Sequence, residues 1–163
     1  DYYQAQKAVL NTGIGSTATM VIGFDESLDE RMSHLAMLRD FQDEQIKKSG
    51  HHMALKSFLC WTYKPDNTEL GGQEISVEEY CRWLAICRIY LDNVTHVRTS
   101  VLTQNERALD AIAFGADDFD LPTEDEVTQS AGATISHQFD NILSYGESLG
   151  FQLHKRAPWR HSH

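Results

Sequence analysis

No stretch of this 163-residue chain stays apolar for the roughly 18 residues that a membrane helix requires. No segment reads as a secretory leader. Positive charge is scarce: 14 Lys and Arg stand against 24 Asp and Glu, a formal net charge of −10. That balance argues against nucleic acid and against an anionic membrane as partners, since both need clustered cations. Cysteine is also sparse, at three residues, an odd number with no disulfide-like framework. Such usage points to a reducing cytoplasm. There is no repeat of solenoid length and no low-complexity tract. The first residue is Asp1 rather than Met, so a preceding N-terminal portion is expected. What is present is core material. At 41% hydrophobic and 23% charged residues, the chain is expected to fold as one α/β domain over 1–163, with a tail at 151–163.

The most informative stretch runs from Leu55 to Gly72. Leu55, Phe58, Leu59, Trp61 and Tyr63 form a short apolar run rich in β-favouring aromatics. Lys64-Pro65-Asp66-Asn67-Thr68 is turn-prone, and Gly71-Gly72 closes it. Ser76, with Glu79 three residues on, then starts a helix over Val77 to Leu91. Buried strand, polar loop and capped helix make one βα unit.

The rest of the chain repeats this unit. Tyr2 to Asn11 reads as a helix stopped by Gly13. Ser16 to Phe24 is the first strand. Ser27 and Glu30 cap a long amphipathic helix from Leu28 to Gln45. Val97 to Leu102 is the third strand, followed by Thr103-Gln104-Asn105 and a short helix from Glu106 to Phe114. Asp117 to Leu121 is a weak fourth strand with an acidic loop, in which Thr123 and Glu126 resemble another capping box. A last helix spans about Ile135 to Leu149. Phe151 to Ala157 reads either as a final strand or as a tail packed on the sheet. Strict alternation predicts a parallel sheet with crossover helices. Periodicity does not separate an open sheet from part of a (βα)8 barrel, whose full ring takes roughly 250 residues. In either case ligands are expected at the loops that leave the strands' C-terminal ends.

Several blocks occur in a characteristic order: STATMVIGFDES, LRDFQDE, PDNTELGG, LAICRIYLDN, VLTQ, AFGADDF and EDEVTQSAG. Together they resemble the radical S-adenosylmethionine enzymes of menaquinone and deazaflavin biosynthesis. That group comprises dehypoxanthine futalosine cyclase, aminofutalosine synthase and the deazaflavin-cofactor synthase subunits. The resemblance covers nearly the whole chain and concerns only the C-terminal half of those enzymes. It implies the closing half of a TIM-type (βα)8 barrel. It also implies S-adenosylmethionine and a 4Fe–4S cluster in the parent enzyme, the cluster being held by a CxxxCxxC loop in the other half. A 5′-deoxyadenosyl radical would then act on a futalosine-like or deazaflavin-precursor substrate.

This chain departs from the pattern at informative places. Cys60, Cys81 and Cys87 give no CxxxCxxC, so this chain alone is expected to bind neither cofactor. Where the family often has Gly-His-x-Glu-Thr, Gly23-Phe24-Asp25-Glu26-Ser27 stands. The family's Gly-Ala-Asn-Asp-Phe-Gly becomes Gly115-Ala116-Asp117-Asp118-Phe119-Asp120.

Each candidate residue has a structural reading beside its functional one. Glu26 either complements a helix dipole or contacts a ligand such as a ribose hydroxyl, and the resemblance adds weight to the contact. Pro65, Asn67 and Thr68 set a turn or line a pocket, with Asn67 able to donate and accept. Ser100, Thr103 and Gln104, at a strand end, read as binding. Arg98 either points inward as an anion partner or lies on the wall as a solvated stem, the second being favoured, and Trp61 and Tyr63 read as core or rim rather than stacking platforms. Asp118 and Glu124 match the family pattern, while the other acidic residues there read as a solvated loop rather than a metal site. His51, His52, His161 and His163 lack spaced partners for zinc, so no metal is expected. The catalytic residues themselves are not legible.

The resulting expectation is the substrate- and cofactor-shaping half of such an enzyme. Its partners would be a small-molecule substrate and either a missing N-terminal half-barrel or a second copy of itself. The alternative is a stand-alone, non-enzymatic α/β module that binds a nucleoside-like ligand or acts as a scaffold. An exposed edge at the Ser16 strand would favour the first, a covered edge the second.

Overall fold

The computed structural model describes residues 2–49, 54–121, 129–133 and 139–156. The expected places of Pro122, Thr123, Glu124, Glu126, His51, His52, His161 and His163 lie outside these residues. Within them the order is α1 (Tyr2–Asn11), β1 (Ser16–Ile22), α2 (Leu28–Ser49), β2 (Leu55–Thr62), α3 (Val77–Tyr90) and β3 (His96–Ser100). A one-turn helix α4 (Val101–Gln104), a 3₁₀ helix (Asn105–Phe114), β4 (Asp118–Asp120) and α5 (Phe139–Ser148) follow. The four strands form one sheet in sequence order, and every pair is parallel. The chain is thus an α/β fold of parallel βα repeats, matching the closing half of a TIM-type barrel.

Local chemistry places the helix ends. Ser27 and Glu30 form the expected reciprocal box, Glu30 N donating to Ser27 Oγ at 3.2 Å and Ser27 N to Glu30 Oε2 at 2.8 Å. Ser76 caps α3 by accepting from Glu79 N at 3.2 Å. The Glu79 carboxylate lies 3.5 Å from Arg31, across the gap between α2 and α3. Gly115 stops the 3₁₀ helix in the left-handed region at φ 101°.

Several expected boundaries differ: β1 stops at Ile22 instead of Phe24, α2 runs on to Ser49 instead of Gln45, and β4 is confined to Asp118–Asp120. The third strand ends at Ser100 instead of Leu102, because the Ser100 side chain accepts from Thr103 N and opens a helical turn. Residues 151–156 carry no strand.

Alternation along the strands sorts their side chains onto two faces. Ala18, Ile22, Phe58, Cys60 and Val97 point into a core shared with Leu10 of α1, Leu35, Leu38 and Phe41 of α2, and Tyr80, Leu84 and Cys87 of α3. A second cluster joins Val101, Ala108, Leu109 and Ile142, with Phe119 against it. The described helices α1, α2, α3 and α5 and the 3₁₀ helix therefore all cover the same face of the sheet.

Tyr80 fastens this layer to the sheet. It is fully buried. Its hydroxyl donates to Cys60 O at 2.8 Å and accepts from Ser100 N at 3.0 Å and Thr99 Oγ1 at 3.3 Å. Gln42 does the same further down, accepting from Leu55 N at 2.8 Å and donating to Leu55 O and Asn93 O. Polar groups taken out of water are stable only with such partners.

Candidate functional site

The opposite face of the sheet has no described helix on it. The residues that alternate with the core set are Thr17, Thr19 and Val21 on β1, Ser57, Leu59 and Trp61 on β2, Arg98 on β3, and Asp118 and Asp120 on β4. Strand register aligns four of them in one row across the sheet: Thr19 opposite Leu59, Leu59 opposite Arg98, and Arg98 opposite Asp118. In a closed barrel this face lines the interior.

Arg98 anchors that row. Its Nε lies 3.3 Å from Asp118 Oδ2, and its Nη2 lies 3.1 Å from Asp120 Oδ1. Arg156, beyond α5, approaches the same Asp118 oxygen at 2.8 Å. Charges therefore alternate from Arg156 through Asp118 and Arg98 to Asp120. The Arg98 and Asp118 side chains retain 17% and 11% of their exposure, while Asp120 keeps 45%. Arg98 Nε and Asp118 Oδ2 have no aligned hydrogen bond, so the attraction between them is coulombic in kind. The expectation of a solvated Arg98 stem does not hold: the guanidinium is mostly enclosed and doubly paired.

The loops after β1 and β2 meet at the C-terminal ends of those strands. Gly23 takes φ 101°, and its N–H donates to Glu26 Oε1 at 2.8 Å. Arg31 grips the same oxygen through Nε and Nη2, each at 2.7 Å, and its guanidinium lies 5.4 Å from the Trp83 ring. Burial works against ionising Glu26, but the hydrogen bond from Gly23 and the pairing with Arg31 outweigh it and hold the carboxyl below its ordinary value. Glu26 Oε2 is buried and has no hydrogen-bond partner among the described residues. Phe24 stacks obliquely on Tyr63, ring centres 4.6 Å apart. The Lys64 side chain, only 7% exposed, reaches Glu74 at 2.7 Å.

The remaining sequence candidates divide into two groups. Pro65, Asn67 and Thr68 sit in the exposed or half-exposed turn after β2. Thr68 Oγ1 donates to Pro65 O at 2.8 Å and bonds the Tyr63 hydroxyl. Asn67 takes φ 55° and donates its amide to Ser130 O at 2.9 Å. The turn thus docks on the segment around Gly132, where an added Cβ would come within 2.6 Å of Asp66 Oδ2. Ser100, Thr103 and Gln104 are all buried and bonded inward. Thr103 Oγ1 accepts from Thr62 N at 3.3 Å, and Gln104 Nε2 donates to Thr62 Oγ1 at 2.9 Å. Glu124 lies outside the described residues.

The donor set does not fit an iron–sulfur cluster. Cys60, Cys81 and Cys87 are all buried. Burial pushes the Cys60 thiol up to about 12 and the Cys81 thiol to about 11, and raises Cys87 as well. Among the described residues no three His, Cys, Asp or Glu side chains gather as a metal site would need. The mouth of the sheet gathers the Gly23, Glu26 and Arg31 contacts on one side and the turn around Asn67, tied to Ser130 O, on the other. A separate cavity of about 410 Å³ lies in the helix layer, lined by Cys81, Arg107, Asp110, Phe114 and Leu149 among others. No described helix is long and apolar enough to cross a membrane.

Comparison with known proteins fits this geometry. The family model described as the CofH/MqnC C-terminal region matches residues 52–160. The chain belongs to the CofH/MqnC C-terminal family. It is 39% identical over 124 residues to a cyclic dehypoxanthine futalosine synthase of Streptomyces coelicolor, covering 74% of this chain and 29% of that protein. It is 33% identical over 152 residues to a protein of the same name from Halalkalibacterium halodurans, covering 91% of this chain and 39% of the relative. A third relative, a 5-amino-6-(D-ribitylamino)uracil–L-tyrosine 4-hydroxyphenyl transferase of Haloarcula marismortui, is 29% identical over 161 residues, 93% of this chain and 32% of that one. The chain therefore spans about a third of the length of these CofH/MqnC relatives. The family is the one whose blocks the sequence carries.

Sequence reasoning favoured the wrong one of its two readings of Arg98, left Asp120 in a solvated loop and Lys64 in a turn, and did not single out Arg31. A signal existed for the first. In His-Val-Arg-Thr-Ser the polar residues at even positions alternate with a core set at Val97 and Thr99, which puts Arg98 on the face away from the helices. The partners of Arg31 and Lys64 come from distant elements, and no local pattern names them.

Proposed function

We propose that this chain forms the C-terminal half of the substrate chamber of a radical S-adenosylmethionine enzyme acting on a futalosine-like or deazaflavin-precursor substrate. The observation that carries the reading is the one-sided sheet: the described helices cover one face, and the other bears an ordered polar row through Arg98 and Asp118. In this reading the radical-generating chemistry is supplied by S-adenosylmethionine and a 4Fe–4S cluster held elsewhere in the parent, and the other barrel half is a neighbour of this chain. The present residues bind and orient. Trp61 offers a ring surface, Glu26 and Asn67 shape the mouth through their contacts to Gly23, Arg31 and Ser130, and Arg98 fixes the charge pattern of the wall.

A second reading, a stand-alone module that binds a nucleoside-like ligand, draws support from the edge of β1. The Tyr2 hydroxyl accepts from Thr19 N at 3.1 Å, and Gln6 Nε2 donates to Thr17 O at 3.3 Å. That edge is thus partly covered by α1.

The test is a steric one. Val21 lies on the face that no described helix covers and is 37% exposed, so Val21→Trp adds bulk there without invading the core. In the full polypeptide, turnover of a futalosine-type or ribitylaminouracil-type substrate is expected to fall at least tenfold with melting unchanged. Unchanged turnover would remove the chamber reading. Ligand binding by the isolated 163-residue chain, without turnover in any longer form, would favour the second reading.

A further inference from the structure

We infer that Asp120 is a specificity-determining acceptor that selects a substrate group rich in N–H or O–H donors, a vicinal diol or an ammonium, and rejects an anionic one. This rests on the chamber reading above. Asp120 lies at the C-terminal end of β4 and pairs in register with Ser100, at the C-terminal end of β3. Its neighbours Phe119 and Leu121 turn the other way, into the helix-side cluster, so Asp120 lies on the face that no described helix covers. Oδ1 is held by Arg98 Nη2 at 3.1 Å. Among the described residues nothing engages Oδ2, and the side chain is 45% exposed. One oxygen is therefore fixed and the other is presented to the chamber.

The orientation of that carboxylate is supported from behind. Arg98 is held at its Nε side by Asp118, and Asp118 by Arg156. A guanidinium braced by a second carboxylate behind it has little freedom to swing away from Asp120. Arg98 is thus a positioning residue, and Asp120 is the group that would meet a ligand. The same pairing closes the site to anions. Two cations reach this row, Arg98 from β3 and Arg156 from the tail, and both are paired, Arg98 Nη2 with Asp120 and Arg156 with Asp118. An incoming carboxylate or phosphate meets Asp120 instead and is repelled. A donor group gains a charge-assisted hydrogen bond, of the kind that is stronger than a neutral one.

The experiment uses the full polypeptide, with 5-amino-6-(D-ribitylamino)uracil as the polyol probe and benzoate as the anionic probe, each followed by equilibrium binding. Asp120→Ala is expected to weaken the polyol probe about tenfold or more and to strengthen benzoate, because Arg98 Nη2 is released toward the chamber. Asp120→Asn, which keeps an acceptor, is expected to retain most of the polyol affinity. Arg98→Lys is expected to lose part of it, since an ammonium does not reach Asp118 and Asp120 at once as the planar guanidinium does. Opposite shifts of the two probes in Asp120→Ala are the result that a merely structural role would not give. Shifts of both probes in the same direction, or of neither, would overturn the role of Asp120 while leaving the chamber standing. Failure of the unsubstituted polypeptide to bind the polyol probe would overturn this inference, while the chamber reading is decided separately by the Val21→Trp turnover test.

Discussion

Tyr80→Phe removes one oxygen atom from the place where α3 is tied to the ends of β2 and β3. The ring stays, so neither cavity nor lost apolar burial enters the account. Three partners lose the hydroxyl. Thr99 Oγ1 keeps its bond to Ala108 O at 2.8 Å and is little affected. Ser100 N and Cys60 O lose contacts of 3.0 and 2.8 Å in residues that are almost fully buried, where water does not replace them. A buried polar group left without its partner costs about 1–3 kcal/mol, so two of them predict a loss of about 3 kcal/mol. Burial is also the main reason why the Tyr80 phenol is raised far above its ordinary value, which marks the site as dry. With a urea m-value of about 2 kcal/mol/M, the midpoint is expected to fall by about 1.5 M at unchanged slope. A loss below about 1 kcal/mol at the same slope would refute the reasoning, because it would mean that the two backbone groups find other partners.

Two further outcomes concern the loop after β1. Glu26 ionises more readily in the folded chain than its ordinary value of 4.5, since the Gly23 and Arg31 contacts overcome the opposing effect of burial. Its contribution to stability is therefore complete above about pH 4.5 and is lost as pH falls through the lower folded value; Glu26→Gln is expected to flatten that acid limb and to cost about 2 kcal/mol at pH 7, measured by urea titration at stepped pH. Gly23→Ala forces a side chain onto a residue at φ 101° and puts its Cβ 2.9 Å from Ile75 Cγ1; a loss of about 2 kcal/mol or more is expected, and a neutral result in thermal unfolding would mean that the loop relaxes freely.

The fold was legible because its signals are local. A capping box at Ser27 and Glu30, a Ser76 cap and a stop at Gly115 each depend on a few neighbouring residues, and β2 between them is a largely apolar run. The site was less legible because its logic is carried by register. Asp118 is visible as an acidic residue at a strand, but only the pairing of Arg98 with Asp118 across β3 and β4 shows that these charges compensate each other. Ser100, Thr103 and Gln104 are polar at a strand end, the pattern that suggests binding. Each proves to be bonded inward, Ser100 as a cap and the other two as clamps on Thr62. A polar residue that satisfies the backbone and one that awaits a ligand look the same in sequence. They differ only in whether a partner stands within 3 Å or so.

The covered edge of β1 is compatible with the chamber. The contacts that close it come from the side chains of Tyr2 and Gln6, whereas α1 is anchored in the core by Leu10 and by Tyr3, which packs edge-on against Phe41. Moving two side chains to other rotamers would reopen Thr17 O and Thr19 N without lifting the helix from the sheet. Each bond given up is worth about 1 kcal/mol net. A parallel neighbour aligned along Ser16–Ile22 would return ladder bonds to those same two groups and extend them along the strand. It would also bury the exposed Val21 side chain at roughly 25 cal/mol per Å² of apolar area. Strand addition at this edge is therefore favoured over the side-chain cap wherever a neighbour is held close by the same polypeptide, and α1 keeps the edge satisfied wherever none is.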